Sequence, residues 1–291
     1  MVERIEVKVP VRVDLAGEWT DGQPYTSDFG GEVVNFAINK YIKYSIEIDE
    51  EGKKKVEYSS DIPNGSGLGT SGAMNEGLMA TIVRKRESPE EIAELAFKFE
   101  ELLENKGFRQ DQWTSKKGDF NHLLFIGDEV EPLPFEPMTS AKNWLKKYFI
   151  IAHCGIEPES ESLYADIWDR YKKEEDMVYQ GLHCIRSAAR IMARGLQQDR
   201  REMVVQSLRD VCKGIDMMDE KIQDQFRTVV NPLLENKNIV AWKALGTGGG
   251  AVGLLCSSNG KDSVIKAIEG AGWTNIEWDY AQFGIQIEKI T

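Results

Sequence analysis

Two glycine-rich stretches hold the residues whose types and spacing can do chemistry. The first, PNGSGLGTSGA at 63–73, sets Gly65, Gly67 and Gly69 among Ser66, Thr70 and Ser71, directly before an apolar, helix-compatible segment. Phosphate binds where several backbone N–H groups converge with a helix N-terminus behind them. Glycine lets the chain approach an anion and take positive φ. The loop lacks the GxxxxGK[ST] spacing, and no strand with an acidic residue follows as in a dinucleotide fingerprint. Taken alone, it reads equally well as a tight strand-to-helix turn. The second stretch, KALGTGGGAVGLL at 243–255, places Gly246, Gly248, Gly249 and Gly250 between strand-like segments. Each glycine costs backbone entropy, so three in a row point to bare backbone that another chain segment or a ligand packs against. A flexible hairpin is the alternative.

Other chemistries are excluded. His122, His153 and His183 stand near no cysteine cluster, and Cys154, Cys184, Cys212 and Cys256 have neither metal-ligand nor CxxC spacing. No zinc site is expected, and the cysteines read as reduced core thiols of a cytoplasmic protein. A net charge of −12 without a basic stripe argues against a nucleic-acid partner. It also means that any anionic substrate needs local positive groups. The start, MVERIEVKVPVRV, is charged and alternating, unlike a signal peptide. No apolar run approaches the roughly 20 residues of a membrane span.

Elements of both kinds must position the two stretches. Ile5, Val7, Val9, Val11, Val13 and Leu15 alternate with Glu6, Lys8, Arg12 and Asp14, which predicts one long half-buried strand or two short ones. VVNFAINKYIKYSIEID and KKVEYSS read as strands, and 71–86 and 89–105 as helices. The second helix has Ser88 as N-cap and Pro89 in its first position. Its apolar face is Ile92, Leu95, Ala96, Phe99, Leu102 and Leu103. At about 3.6 residues per turn Glu100 falls beside that face and Glu101 nearly opposite. NHLLFIG and KYFIIAHCG are strand-like, and 159–234 is helical. NIVAWKALG, GLLCSS and IEWDYAQFGIQIE return to strands around a helix at 261–271. An α+β chain of two lobes follows, 1–150 and 151–291, and 291 residues easily support a sizeable core.

Three motifs, in order, resemble the GHMP kinase superfamily: PVRVDLAGEWTDG at 10–22, PNGSGLGTSGA at 63–73 and KALGTGGGAVGLL at 243–255. Within it, GEWTDGQPYTSDFGGEVVNFAI at 17–38 and RQDQW at 109–113 resemble fucokinase and the heptose-phosphate kinases. The resemblance implies a GHMP kinase fold, with an N-terminal lobe like ribosomal protein S5 domain 2 and a C-terminal ferredoxin-like lobe. It implies phosphoryl transfer from ATP, with Mg2+, to the anomeric hydroxyl of a fucose-like free sugar. A heptose-phosphate or cyclitol kinase, or a sugar sensor built on an inactive kinase, are the alternatives. Monomer or homodimer is expected, with no membrane partner.

Residue by residue, the resemblance makes Asp111 the catalytic aspartate and Arg12 its basic companion. Without the other motifs Asp111 reads as a surface-loop acid after a helix. Pro63, Gly65, Ser66, Gly67, Leu68, Gly69, Thr70, Ser71 and Gly72 become the ATP-binding positions. Glu100 stands eleven residues before Asp111, at the spacing of the metal-binding glutamate. Ser71 is the hydroxyl ligand, with Thr70 as its competitor. Glu18, Asp21, Trp19, Gly248, Gly249 and Gly250 face the sugar, Trp19 either as a stacking platform or as core. Lys243 is structural or close to phosphate. The pattern departs from the family at 112–120, bulky and charged, and at 153–163, strongly acidic; these put the sugar's identity in question.

Overall fold

The computed structural model describes residues 3–63, 65–82, 88–102, 109–155, 160–247 and 249–290. In chain order the elements are β1 (Glu3–Ala16), α1 (Tyr25–Asp28), β2 (Gly31–Ile48), β3 (Lys54–Ser60), α2 (Thr70–Ile82), α3 (Pro89–Leu102) and α4 (Arg109–Lys117). They continue with β4 (Phe120–Ile126), β5 (Glu129–Pro132), α5 (Thr139–Tyr148), β6 (Phe149–His153), α6 (Ser160–Lys172), α7 (Asp176–Gln197), α8 (Arg201–Met218) and α9 (Lys221–Glu235). The chain closes with β7 (Ile239–Leu245), β8 (Ala251–Cys256), α10 (Lys261–Gly270), β9 (Thr274–Ile276) and β10 (Gln286–Ile290).

The strands form two antiparallel sheets. One has the order β10-β1-β2-β4-β5, with β3 also on β2; the other is β7-β8-β6-β9. The long β2 lies along β1 on one edge; on the other, residues 31–36 pair with β4 and 42–48 with β3. A single cut between residues 150 and 151 would fall inside β6. It would also separate β10 from β1, its antiparallel partner in the first sheet. The chain therefore leaves the first sheet, builds the second, and returns for its last strand.

One buried apolar cluster joins Val9, Val11 and Val13 of β1 to Leu182 and Ile185 of α7, Leu208 of α8 and Leu245 of β7. A second lies on the outer side of the smaller sheet, where Phe226 of α9 and Ile268 of α10 cover Trp242, Val252 and Leu254. Among the described residues, no helix is long and apolar enough to cross a membrane.

Two sequence expectations change here. The half-buried alternation of β1 ends at Val9; from there to Ala16 every residue is buried, Arg12 and Asp14 included. Charges on such a strand need partners inside the protein. In α3, Leu95 and Leu102 are exposed, and the buried stripe is Ile92, Ala93, Ala96 and Glu100. Glu100 is thus on the inward face itself, because α2 and α4 cover that side of the helix with polar groups (Ser71, Asn75 and Gln112) as well as apolar ones. Leu103 and the Glu101 side chain lie outside the described residues.

The glycine stretches meet backbone to backbone. A Cβ on Gly67 would lie 2.0 Å from the Leu245 carbonyl oxygen, and one on Gly246 or Gly249 2.5 Å from the Gly67 Cα. The Gly250 amide donates to the Gly65 carbonyl at 3.0 Å. At Gly246 and Gly249 the bare backbone serves a chain segment. Gly67 and Gly52 share a positive φ, 78° and 81°, but no atom lies within 4 Å of a Cβ placed on Gly52. Gly52→Ala is therefore expected to cost only backbone strain, about 1–2 kcal/mol. Gly67→Ala must also separate the two loops, and its thermal midpoint should fall roughly 5–10 °C below that of Gly52→Ala. Paired melting curves check this.

Candidate active site

The site is built outward from β1. The Arg12 amide donates to the Leu68 carbonyl at 2.9 Å, which docks the glycine loop on the strand. The Arg12 guanidinium donates from Nε to Asp111 Oδ1 at 2.7 Å, from Nη1 to the Gly67 carbonyl at 2.9 Å and from Nη2 to Glu18 Oε1 at 3.3 Å. Asp111 is not on a surface loop. It sits in the first turn of α4, where the helix dipole favours a carboxylate, and its side chain is 13% exposed. Glycine makes this approach possible. A Cβ on Gly72 would lie 2.4 Å from Asp111 Cβ, and one on Gly69 2.9 Å from Arg12 Cγ.

The loop turns its carbonyls inward. Gly65 accepts from Gly250, Gly67 and Leu68 from Arg12, and Gly69 from Ala73 in the first turn of α2. Gly65, Gly67 and Gly69 all have positive φ. Among the described residues no backbone carbonyl accepts from the Gly65, Gly67 or Gly69 amide. The buried Ser66 Oγ has no hydrogen-bond partner among them either. A loop whose carbonyls are engaged while these amides find no backbone acceptor, with a helix start behind it, has the features of an anion cradle.

Beside the cradle is Glu100, 1% exposed. Its Oε1 accepts from Ser71 Oγ at 3.1 Å and Asn75 Nδ2 at 2.6 Å, and its Oε2 from Gln112 Nε2 at 2.7 Å. Ser71, not the buried Thr70, faces it. Burial pushes the Glu100 carboxyl up to about 7, with Asp111 adding to the shift and its three donors opposing it. No group of three or more His, Cys, Asp or Glu is gathered for a metal among the described residues. A carboxylate and a hydroxyl are nevertheless the hard oxygen donors that Mg2+ accepts, usually one or two from protein.

On the other side of Arg12 the chain turns tightly, with Thr20 N–H donating to Gly17 O at 3.0 Å and Trp19 held at a φ of 79°. Such strain in a non-glycine residue persists only where the surroundings fix it. Trp19 is fully buried and stacks on Tyr164, centroids 5.7 Å apart. Asp21 accepts from the Gln110 amide and side chain, both at 3.4 Å, and Gln110 in turn accepts from Asn35. Glu18 Oε2 accepts from Lys243 at 3.3 Å, and Lys243 also donates to Asp14 Oδ1 and, at 3.1 Å, to the Asp14 carbonyl. Lys243 is therefore structural; its ammonium is committed to Asp14 and Glu18. Gly249 and Gly250 are buried against the glycine loop, and Gly248 lies outside the described residues.

Burial opposes the charge of Arg12, but Asp111, Glu18 and Asp14 outweigh it and raise its pKa. Burial raises Asp111 despite Arg12, and raises Glu18 despite Lys243 and Arg12. Asp21 is pushed well up by burial and by Asp111.

This architecture and sequence have relatives. A mevalonate kinase of Pyrococcus horikoshii is 24% identical over 303 residues, covering 100% of this chain and 85% of that protein. A D-glycero-alpha-D-manno-heptose 7-phosphate kinase of Campylobacter jejuni is 23% identical over 347 residues, covering 99% and 100%. The crystal structure of a D-glycero-D-manno-heptose 1-phosphate kinase from Bacteroides thetaiotaomicron superposes with a TM-score of 0.79 at 18% identity, covering 99% of each chain. No protein-family model matches the sequence. The chain is similar in sequence and in fold to kinases of the GHMP superfamily.

Its α+β architecture is the GHMP kinase fold. Arg12, Glu18, the loop at 65–72 and Asp111 lie together, with Glu100 beside the loop and Asp21 against the helix that carries Asp111. Gln110, Gln112, Asn75 and Tyr164 were not singled out from the sequence; of the two readings of Lys243, the structure supports the structural one. The amides flanking Asp111 in RQDQW were a signal, since two uncharged polar residues beside an acid suit a buried helix start. Nothing near Asn75 or Tyr164 announced them. The bulky run after Asp111 is held by α3 and β1: Trp113 Nε1 donates to Glu94 at 3.0 Å, and Ser115 Oγ to the Pro10 carbonyl at 2.8 Å.

The Glu100 carboxyl, at about 7 when folded against an ordinary 4.5, binds its proton more tightly in the folded protein. Its stabilising contribution is fully present below the lower value and is lost as pH rises through the upper. At 1.36 kcal/mol per pKa unit the swing is about 3 kcal/mol. Glu100→Gln should remove that slope, so the variant gains on the wild type between about pH 5 and about pH 8. Urea unfolding at the two pH values, without added metal, reads it.

Proposed function

We propose that the protein is an ATP-dependent kinase that phosphorylates a hydroxyl of a sugar-like acceptor, most directly the anomeric hydroxyl of a heptose or a related fucose-like sugar. The observation that carries this reading is the Arg12–Asp111 pair at 2.7 Å, set against an anion cradle whose glycines make room for it. Phosphoryl transfer needs positioning, charge stabilisation and an acceptor for the hydroxyl proton. Asp111 takes that proton as the acceptor oxygen forms its bond to phosphorus and the bond to the leaving ADP breaks. A pKa raised by burial makes Asp111 a better proton acceptor than an exposed aspartate. Arg12 keeps Asp111 aimed and neutralises its charge. The loop amides and the start of α2 hold phosphate oxygens. Glu18 and Asp21 accept hydrogen bonds from acceptor hydroxyls, with Trp19 and Tyr164 as the apolar wall.

Glu100 and Ser71 would hold Mg2+ together with nucleotide oxygens. When bound, the ion neutralises the charge of the phosphates. Arg12 and Lys243, the cations described at the acceptor end, are each committed to carboxylates. This favours an acceptor that is neutral at its reacting end, as a free sugar is, or a sugar phosphate whose charge lies at its far end. The heptose-phosphate kinases among the relatives support the heptose class. The oligomeric state, monomer or homodimer, and a cytoplasmic location remain proposals that the site does not depend on.

An ATP-consumption screen with Mg2+ across fucose, other free sugars, heptoses with and without phosphate, and cyclitols tests the reading. One acceptor should turn over, and Asp111→Asn should lower kcat by about 10²–10⁴-fold with nucleotide binding retained. ATP and sugar binding without turnover across the panel would replace the kinase with a sensor. Because the ion binds the ionised carboxylate, apparent Mg2+ affinity should rise with pH up to about 7 and level off above it. Titration calorimetry with Mg2+ and a nonhydrolysable ATP analogue at stepped pH measures this.

A further inference from the structure

Lys243 is fully buried, as are its partners Asp14 and Glu18, exposed by 0% and 1%. It reaches them from β7 of the smaller sheet, across 229 and 225 positions of sequence. Glu18 is shared: Oε2 accepts from Lys243 and Oε1 from Arg12. A chain of alternating charge therefore runs Asp14, Lys243, Glu18, Arg12, Asp111, and links a lysine of the second sheet to the proposed catalytic aspartate. We propose that Lys243 is a positioning residue, which holds Glu18 and Asp14 so that the Arg12 guanidinium stays directed at Asp111. This rests on the kinase reading for its role in turnover, but not for its geometry.

The carboxylates compete for cations. Facing this chain are Arg12 and Asp14 from β1, Glu18 and Asp21 from the turn after it, Asp111 from α4 and the Cys212 thiol from α8, which burial pushes up to about 12 and so keeps neutral. Without the Lys243 ammonium, Arg12 is the one cation left in this described set, facing Asp14, Glu18 and Asp111. In a dry interior an unpaired carboxylate is costly, so Glu18 draws Arg12 toward itself. The Nη2–Glu18 contact at 3.3 Å has room to shorten, and the 2.7 Å Nε–Asp111 bond lengthens in exchange. Because Lys243 is delivered by the second sheet, the pair is set only when both sheets are docked.

The test uses the full chain. Lys243→Met leaves buried Asp14 without its cation and Glu18 with Arg12 alone, and can fail to fold. The double variant Asp14→Asn with Lys243→Met removes one charge of each sign and carries the experiment. With 15N-labelled arginine, NMR reads solvent exchange of the Arg12 Nε–H whether or not the protein is active. We expect the double variant to fold, to exchange that proton at least about tenfold faster than the wild type, and to lose about 10²-fold in kcat with KM for ATP within about threefold. Lys243→Arg, which keeps the charge, should recover part of the protection. A double variant with wild-type Arg12 protection and wild-type kcat would reduce Lys243 to a neutraliser of Asp14 and sink the proposal. If the wild type turns over no acceptor, the kinase reading falls, while the exchange measurement still decides the role of Lys243.

Discussion

The hydrogen bond from Arg12 to Asp111 is the contact around which the rest of the molecule is arranged. Both groups are largely out of water, and both have further neighbours of charge: Glu18, Asp14 and Lys243 on one side, Glu100 on the other. A buried ion pair is a weak source of net stability, because desolvation offsets most of the Coulomb attraction. Its cost when broken is high. Such an arrangement fixes geometry more than it stabilises the fold, which is what the proposed phosphoryl transfer requires.

The glycines are best understood from that contact. Gly69 and Gly72 have no side chain because Arg12 and Asp111 occupy the space; Gly67, Gly246 and Gly249 have none because two loops from different sheets touch through their backbones. In the first loop the Gly65, Gly67 and Gly69 amides are left without a backbone acceptor among the described residues. One requirement, close approach, thus produces both the docking of the lobes and the anion cradle. Conformational freedom alone would not distinguish these positions from Gly52, which has a similar φ and open space around it.

Burial does the chemical tuning. Asp21, Glu18, Asp111 and Glu100 all have raised pKa values, and in each case desolvation is the largest cause. Perturbed groups gathered in one place are a functional signature when geometry agrees. Here the geometry is a carboxylate on a helix start, a cation locked to it, and a second carboxylate ringed by Ser71, Asn75 and Gln112.

Local order was legible in the sequence. The alternation of β1, the helical run that becomes α6 to α9, the strands around KALGTGGGAVGLL and the loop-before-helix at 63–73 follow from side-chain period and from glycine's backbone freedom, both of which act over a few residues. The three motifs were legible too, and it was their resemblance to a known family, not local period, that singled out Arg12, Asp111, Glu100 and Ser71. What sequence could not supply is who faces whom. That Leu95 and Leu102 point outward while Glu100 points inward depends on which side α2 and α4 cover. That β10 returns to β1 depends on an edge left free by the second sheet's excursion. That Lys243 meets Asp14 and Glu18, and that Gly249 meets Gly67, depends on two sheets docking across more than 180 positions of chain. Pattern is set by neighbours along the chain and pairing by neighbours in space; only the packed core brings the second kind together.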